Sequence, residues 1–289
     1  TVKLAVDIMK KEGKRIVSVT TKMRMILIAK RYRNFPFYST FSSLINSIST
    51  MLPTFLLAIY FDSSVVGYYA ISHRILSLPI ALIGSNVAQV FLPKATSSYR
   101  DGTLSQTSLK MFKTLLGVGL VPIILVAMVA PELFSFVFGS KWRTAGIFAR
   151  WISIWLLLVF ISSPISVIYD VLEKQRNYLY VNIVMLSVRT AVLLIGGYKG
   201  DANLSIALFG IVGALLWIFN SFYILSLAGN KLLQILGVYI KELITSFPFL
   251  IIPLLIKILL GNEILYIFSA LISGIVFILT KILEFSRNT

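Results

Sequence analysis

The sequence predicts an all-α fold, a polytopic transmembrane helix bundle of about eight spans, and three observations predict it. Hydrophobic residues fill 57% of the 289 positions and charged residues only 13%, with a mean hydropathy of +0.89; soluble domains carry roughly a quarter charged residues. Apolar runs near the ~20 residues that cross a bilayer follow one another with short polar breaks. Most of the Lys and Arg fall in those breaks or in the first 33 residues, a distribution that orients helices.

The spans are placed in order. The basic string Arg31-Tyr-Arg-Asn-Phe-Pro-Phe-Tyr-Ser39 leads into the first, at 37–60. Val66-Gly-Tyr-Tyr-Ala70 opens the second, at 66–92, and Phe91-Leu-Pro-Lys-Ala95 leaves it ahead of Tyr99-Arg-Asp-Gly102. The third, at 112–138, ends on the longest outer connection, Gly139–Gly146. The fourth, at 147–170, is followed by Glu173-Lys-Gln-Arg176; the fifth, at 178–198, ends near Gly196-Gly197, which reads as a helix stop. The sixth covers 203–228. The last two, at 246–261 and 264–281, are the weakest signals. Pro248, Pro253 and Lys257 interrupt the first of them, so a re-entrant hairpin stays open beside two full crossings. The domains read as a basic cytoplasmic segment (1–36), a six-helix transmembrane unit (37–228), and a loop, two-helix hairpin and short tail (229–289).

With the basic N-terminal segment assigned to the cytoplasm, twenty Lys and Arg fall inside and five outside, namely Lys141, Arg143, Arg150, Lys199 and Lys257. That bias puts both ends of the chain in the cytoplasm. The cluster Lys22, Arg24, Lys30, Arg31 and Arg33 reads as the same signal, with affinity for anionic lipid. A net charge of +16 spread this way builds no groove for nucleic acid. With no cysteine there is no disulfide framework and no thiolate metal site, and no cofactor or metal is expected. The chain opens Thr-Val-Lys without a signal-peptide pattern, and we read it as a fragment whose start is an internal loop of a longer protein.

Side chains that lipid would penalise carry the remaining information. Arg189 sits about ten residues, or ~15 Å, from either end of the fifth span. An arginine at that depth costs about 2.5–3.5 kcal/mol on insertion scales, so it should face a cavity or a partner. The sequence places no carboxylate at its depth, since every Asp and Glu maps to a span end or loop. The charge is then available to an anionic ligand; the alternatives are bonds to helix carbonyls or snorkelling outward.

Arg74 begins a stripe with Ser77, Ala81, Ser85 and Gln89, at offsets of 3, 7, 11 and 15, within about 120° of one helix face. Asn86 lies at its edge, and Pro79 can shift the register. On the first span Ser39, Ser43, Asn46, Thr50 and Thr54 share a face. Two such helices side by side can line a wet cleft, and small polar residues also serve simply as helix-packing contacts. His73, the sole histidine, reads as a packing or interfacial residue. No Walker loop, HExxH, GxSxG or deep carboxylate pair is present, so hydrolysis and nucleotide-driven pumping lack their residues.

The strings quoted above, together with Ala130-Pro-Glu-Leu-Phe-Ser-Phe-Val-Phe-Gly139 and Trp142, resemble the C-terminal half of polysaccharide-biosynthesis proteins. These are the O-antigen-type flippases of the multidrug, oligosaccharidyl-lipid and polysaccharide exporter superfamily. The resemblance runs from about residue 30 to 230. It implies a C-terminal lobe of a two-lobed flippase, partnered by a missing N-terminal lobe, in a bacterial inner membrane. The implied cargo is a polyprenyl-pyrophosphate-linked oligosaccharide for O-antigen, capsule or exopolysaccharide. Joined to that expectation, Arg74, Arg189, Asn46, Asn86 and Gln89 are the candidate residues for binding the anionic pyrophosphate and sugars, while membrane lipid holds the tail. A drug or metabolite exporter would carry intramembrane carboxylates, and a membrane glycosyltransferase or polymerase would show acidic residues and a large outer loop.

Overall fold

Across the described residues the backbone satisfies its amides almost wholly within helices, as a chain surrounded by lipid must. The computed structural model describes residues 34–287, preceded by residues 23, 25–27 and 30. The rest of the basic segment, Lys22, Arg24, Arg31 and Arg33 included, lies outside the described residues. Eight long helices follow: α1 Asn34–Tyr60, α2 Ser63–Arg100, α3 Leu104–Phe138, α4 Arg143–Ser162, α5 Gln175–Tyr198, α6 Ala202–Leu227, α7 Leu232–Leu260 and α8 Glu263–Arg287. Short 3₁₀ turns at Ser140–Trp142 and Pro164–Val167, and one α turn at Ile168–Val171, extend α4 at both ends. All eight are long and apolar enough to cross a membrane, so the chain is a multi-pass membrane protein.

Several helices overrun the apolar stretches that mark them. The second crossing, placed at 66–92, runs 38 residues, about 57 Å at the helical rise. It carries its Lys94–Arg100 end beyond any hydrocarbon core. The larger correction concerns the seventh. In place of a short, broken stretch at 246–261, α7 is one helix of 29 residues that contains both Pro248 and Pro253. Proline breaks a helix in water more readily than in a bundle, where neighbours re-satisfy the freed carbonyl. Glu242, expected at a span end or loop, therefore lies ten residues inside α7 and is 3% exposed. Glu132 is likewise buried within α3.

Short connections make sequence neighbours antiparallel. Two faces result: a basic face, carrying the α2–α3, α4–α5 and α6–α7 turns, and an opposite face with the remaining turns. At the centre stands α4, packed against α2, α3 and α6, while α5 packs against α1 and α6. Its side chains Phe148, Ile152 and Ile161 are fully buried, with Ile206 and Phe209 of α6 against them. Close helix approach depends on small residues here. A Cβ on Gly146 would fall 2.5 Å from the Ala130 carbonyl oxygen of α3, and one on Gly197 would strike the Tyr60 ring. Gly196 and Gly197 are thus packing residues inside α5 rather than a helix stop. The chain reverses instead at Gly200, whose φ of 68° suits a residue without Cβ.

The α7–α8 pair leans on α3 through a separate apolar cluster of Val121, Leu125 and Val129 with Tyr266, Ala270 and Phe277. Ion pairs fasten it at both ends. Toward the opposite face Lys257 Nζ lies 3.0 Å from Glu132 Oε1, and Arg143 bridges Glu132 at 3.7 Å and Glu263 at 3.3 Å. Toward the basic face Lys281 Nζ lies 3.1 Å from Glu242 Oε2. Lys257 does not break α7, because its charge is matched by a carboxylate on the neighbouring helix.

Candidate functional site

Five helices, α1, α2, α4, α5 and α6, line a partly open cavity of about 360 Å³ that includes Arg189 in its wall. α5 places that residue nine positions before its end at Tyr198, and the side chain is only 2% exposed. It neither snorkels nor turns to helix carbonyls. Its Nη1 donates to Ser49 Oγ of α1 at 3.0 Å. The guanidinium carbon stands 5.0 Å from the Trp155 ring centroid and 5.6 Å from that of Phe209. Aromatic faces are the best apolar environment for a weakly hydrated planar cation. They do not neutralise it, and among the described residues Arg189 has no carboxylate within ion-pair distance.

The aromatic support continues as a stack. The His73 ring lies between those of Tyr69 and Trp155, at 5.7 and 6.0 Å, and Trp155 meets Phe209 edge-on at 5.0 Å. This fixes Trp155 under the guanidinium. The sequence stripes enter the same cavity in part. Asn46 and Thr50 reach it from α1, and Ser77, Ala81 and Ser85 from α2. Arg74, Asn86 and Gln89 do not line it, and their side chains are exposed.

The lining has a one-sided polarity. Arg189 Nε and Nη2, Trp155 Nε1 and Trp217 Nε1 are all buried N–H groups without a protein hydrogen-bond partner, and all belong to residues that line the cavity. Each unmet buried donor costs about 1–3 kcal/mol. No Asp or Glu is among the lining residues. A cavity with a fixed positive charge, spare donors and aromatic walls is suited to an anionic guest rich in oxygen acceptors. It has no carboxylate with which to bind a cation. Among the described residues no group of three His, Asp or Glu is placed to hold a metal ion.

Of the residues singled out in the sequence, Arg189 and Asn46 line the cavity and His73, read as a packing or interfacial residue, packs in the aromatic stack, whereas the two indoles and Ser49 were not among them. One signal was available. Tryptophan in membrane proteins concentrates at the interfaces, yet Trp155 and Trp217 stand deep within α4 and α6. A polar-tipped ring at that depth calls for an acceptor.

Residues 16–146 match the family model of a polysaccharide biosynthesis protein. The chain is thus similar to polysaccharide biosynthesis proteins over that segment, which holds Asn46, Arg74, Asn86 and Gln89 but not Arg189. The match fits a role in polysaccharide synthesis or export and does not single out an O-antigen flippase. Comparisons with curated proteins and with solved structures found no match.

Proposed function

We propose that this protein moves a polyprenyl-pyrophosphate-linked oligosaccharide across the membrane, with the anionic group held at Arg189. The observation that carries the reading is the buried, carboxylate-free guanidinium at mid-span, surrounded by unmet donors. A pyrophosphate offers the charge and the acceptors that this lining lacks. Arginine binds it in bidentate fashion and cannot lose its proton to escape the membrane. Asn46 and Thr50 would add polar contacts, and the unmet indole N–H groups of Trp155 and Trp217 would donate to oxygens of the guest, while the polyprenyl tail remains in lipid. Arg74, Asn86 and Gln89, outside the lining, are assigned to the polar approach along α2. Alternating exposure of the cavity to the two faces would complete a cycle of transport.

The multi-pass bundle and the family match fit a transporter-type protein. A cation-coupled drug exporter fits this cavity less well, because its lining holds no carboxylate. The test is replacement of Arg189 by Gln in the producing cell. Loss of surface polysaccharide with normal amounts of the protein in the membrane supports the reading; undiminished polymer removes Arg189 from the site.

A further inference from the structure

A second cavity, of about 500 Å³, lies between the α3–α4 pair and the α7–α8 hairpin, on a different face of α4 from the Arg189 cavity. Its walls are almost wholly apolar, with Ile123, Leu157 and Leu254 among them, yet two cations reach into it, Arg150 and Lys257. The two chemistries are separated by depth. Lys257 is three residues from the end of α7, and Arg150 is seven residues into α4, about 10 Å below the same face. Leu157 lies seven residues deeper again, near the middle of its span. The groove thus presents positive charge near the membrane surface and hydrocarbon below it.

The charges there are not balanced. Lys257 shares Glu132 with Arg143, and Arg143 also reaches Glu263. Arg150 donates its Nε to the Ala127 carbonyl oxygen at 3.3 Å, and among the described residues no carboxylate lies within ion-pair distance of it. Three cations therefore face two carboxylates, and the surplus belongs to a half-buried guanidinium at the wall of an apolar groove. A free phosphate would leave the walls uncovered, and an alkane would leave the guanidinium unmatched. We propose that this groove binds an anionic phospholipid of the leaflet opposite the basic face, with its phosphate at Arg150 and Lys257 and an acyl chain along Ile123, Leu157 and Leu254. The lipid would act as a wedge between the hairpin and the six-helix unit. The site is independent of the transport reading, since it shares no residue with the Arg189 cavity.

The test is lipid titration of the delipidated full chain, followed by native mass spectrometry, with dioleoyl phosphatidylglycerol against dioleoyl phosphatidylcholine. One phosphatidylglycerol should be retained about tenfold more tightly than phosphatidylcholine, because both offer the same phosphate but only the choline headgroup brings a cation against the surplus positive charge. Arg150→Gln should abolish that preference and Arg150→Lys should restore most of it. Leu254→Trp, which fills the groove from a half-exposed wall position, should weaken both lipids, and it carries the test if Arg150→Gln does not fold. An undiminished preference in Arg150→Gln, or full binding in Leu254→Trp, overturns the site. So does stoichiometric displacement of phosphatidylglycerol by a polyprenyl phosphate, which would assign the groove to a transported lipid.

Discussion

Arg189 of α5 and Ser49 of α1 meet at 3.0 Å in the buried interior, joined by a hydrogen bond between residues 140 positions apart in sequence. The bond orients a charge that no carboxylate among the described residues neutralises, leaving two nitrogens of the fork for a guest. Ser49→Ala should leave the guanidinium with a third unmet donor, at about 1–3 kcal/mol. Thermal unfolding in detergent should show a lower midpoint for Ser49→Ala than for Ser49→Thr, which keeps the hydroxyl. A saturating anionic ligand should narrow the gap, because it supplies the missing acceptor.

Helix contact at Gly146 should be equally sensitive, for a different reason. A Cβ there meets backbone atoms of Ala130 and Pro131 at 2.5 Å, so no rotamer change relieves it and α3 must move from α4. Overpacking of this kind costs about 1–3 kcal/mol or more. Gly146→Leu should lower folded yield, whereas Gly237→Leu, at an open position on α7, should not.

The pair Glu242–Lys281 joins α7 to α8 at 3.1 Å, with 3% and 14% of the side chains exposed. Removing one partner of a buried pair costs about 3–5 kcal/mol, while replacing both by apolar groups can be neutral. Lys281 also reaches Glu284 at 3.2 Å, so the change that strands a buried charge is Lys281→Leu, which should destabilise more than the double variant Glu242→Leu/Lys281→Leu, measured by reversible unfolding in mixed micelles. Equal losses would mean that the Glu242 carboxylate does not depend on Lys281.

Glu173 turns the chain between α4 and α5 with φ of 55°, a left-handed conformation that costs a residue with Cβ about 1 kcal/mol or more. Glu173→Gly should raise the unfolding midpoint slightly and leave transport unchanged, since the residue is exposed and lies outside the cavity.

The all-α class and the eight crossings were legible because lipid imposes a length and a polarity on every span, and residues 37–60 and 178–198 show both plainly. α7 was harder. Two prolines and a lysine read as interruptions only while their neighbours are unknown, and Glu132, which matches Lys257, lies 125 positions earlier. Glu242 was assigned to a loop for the same reason. Within the cavity, Arg189 announced itself by the cost of its depth. Ser77 and Ser85 could be placed on one face by helical periodicity. Periodicity does not say where a face ends, which is why Arg74 and Gln89, at the ends of the same stripe, fall outside the lining. The indoles of Trp155 and Trp217 went unread because apolar and polar atoms share one side chain, and only packing shows that their N–H groups are unmet.

The most direct test of the central claim is translocation itself. The purified protein is reconstituted in vesicles with a polyprenyl-pyrophosphate-linked oligosaccharide, and the fraction of glycan reaching the far leaflet is read by its accessibility to an added glycosidase. Wild-type protein should move the glycan, Arg189→Lys should retain a fraction of the rate, and Arg189→Gln should fall at least tenfold, the scale expected for loss of one charge-assisted contact. Translocation by Arg189→Gln at the wild-type rate would contradict the account, because the buried charge would then have no part in carrying the cargo.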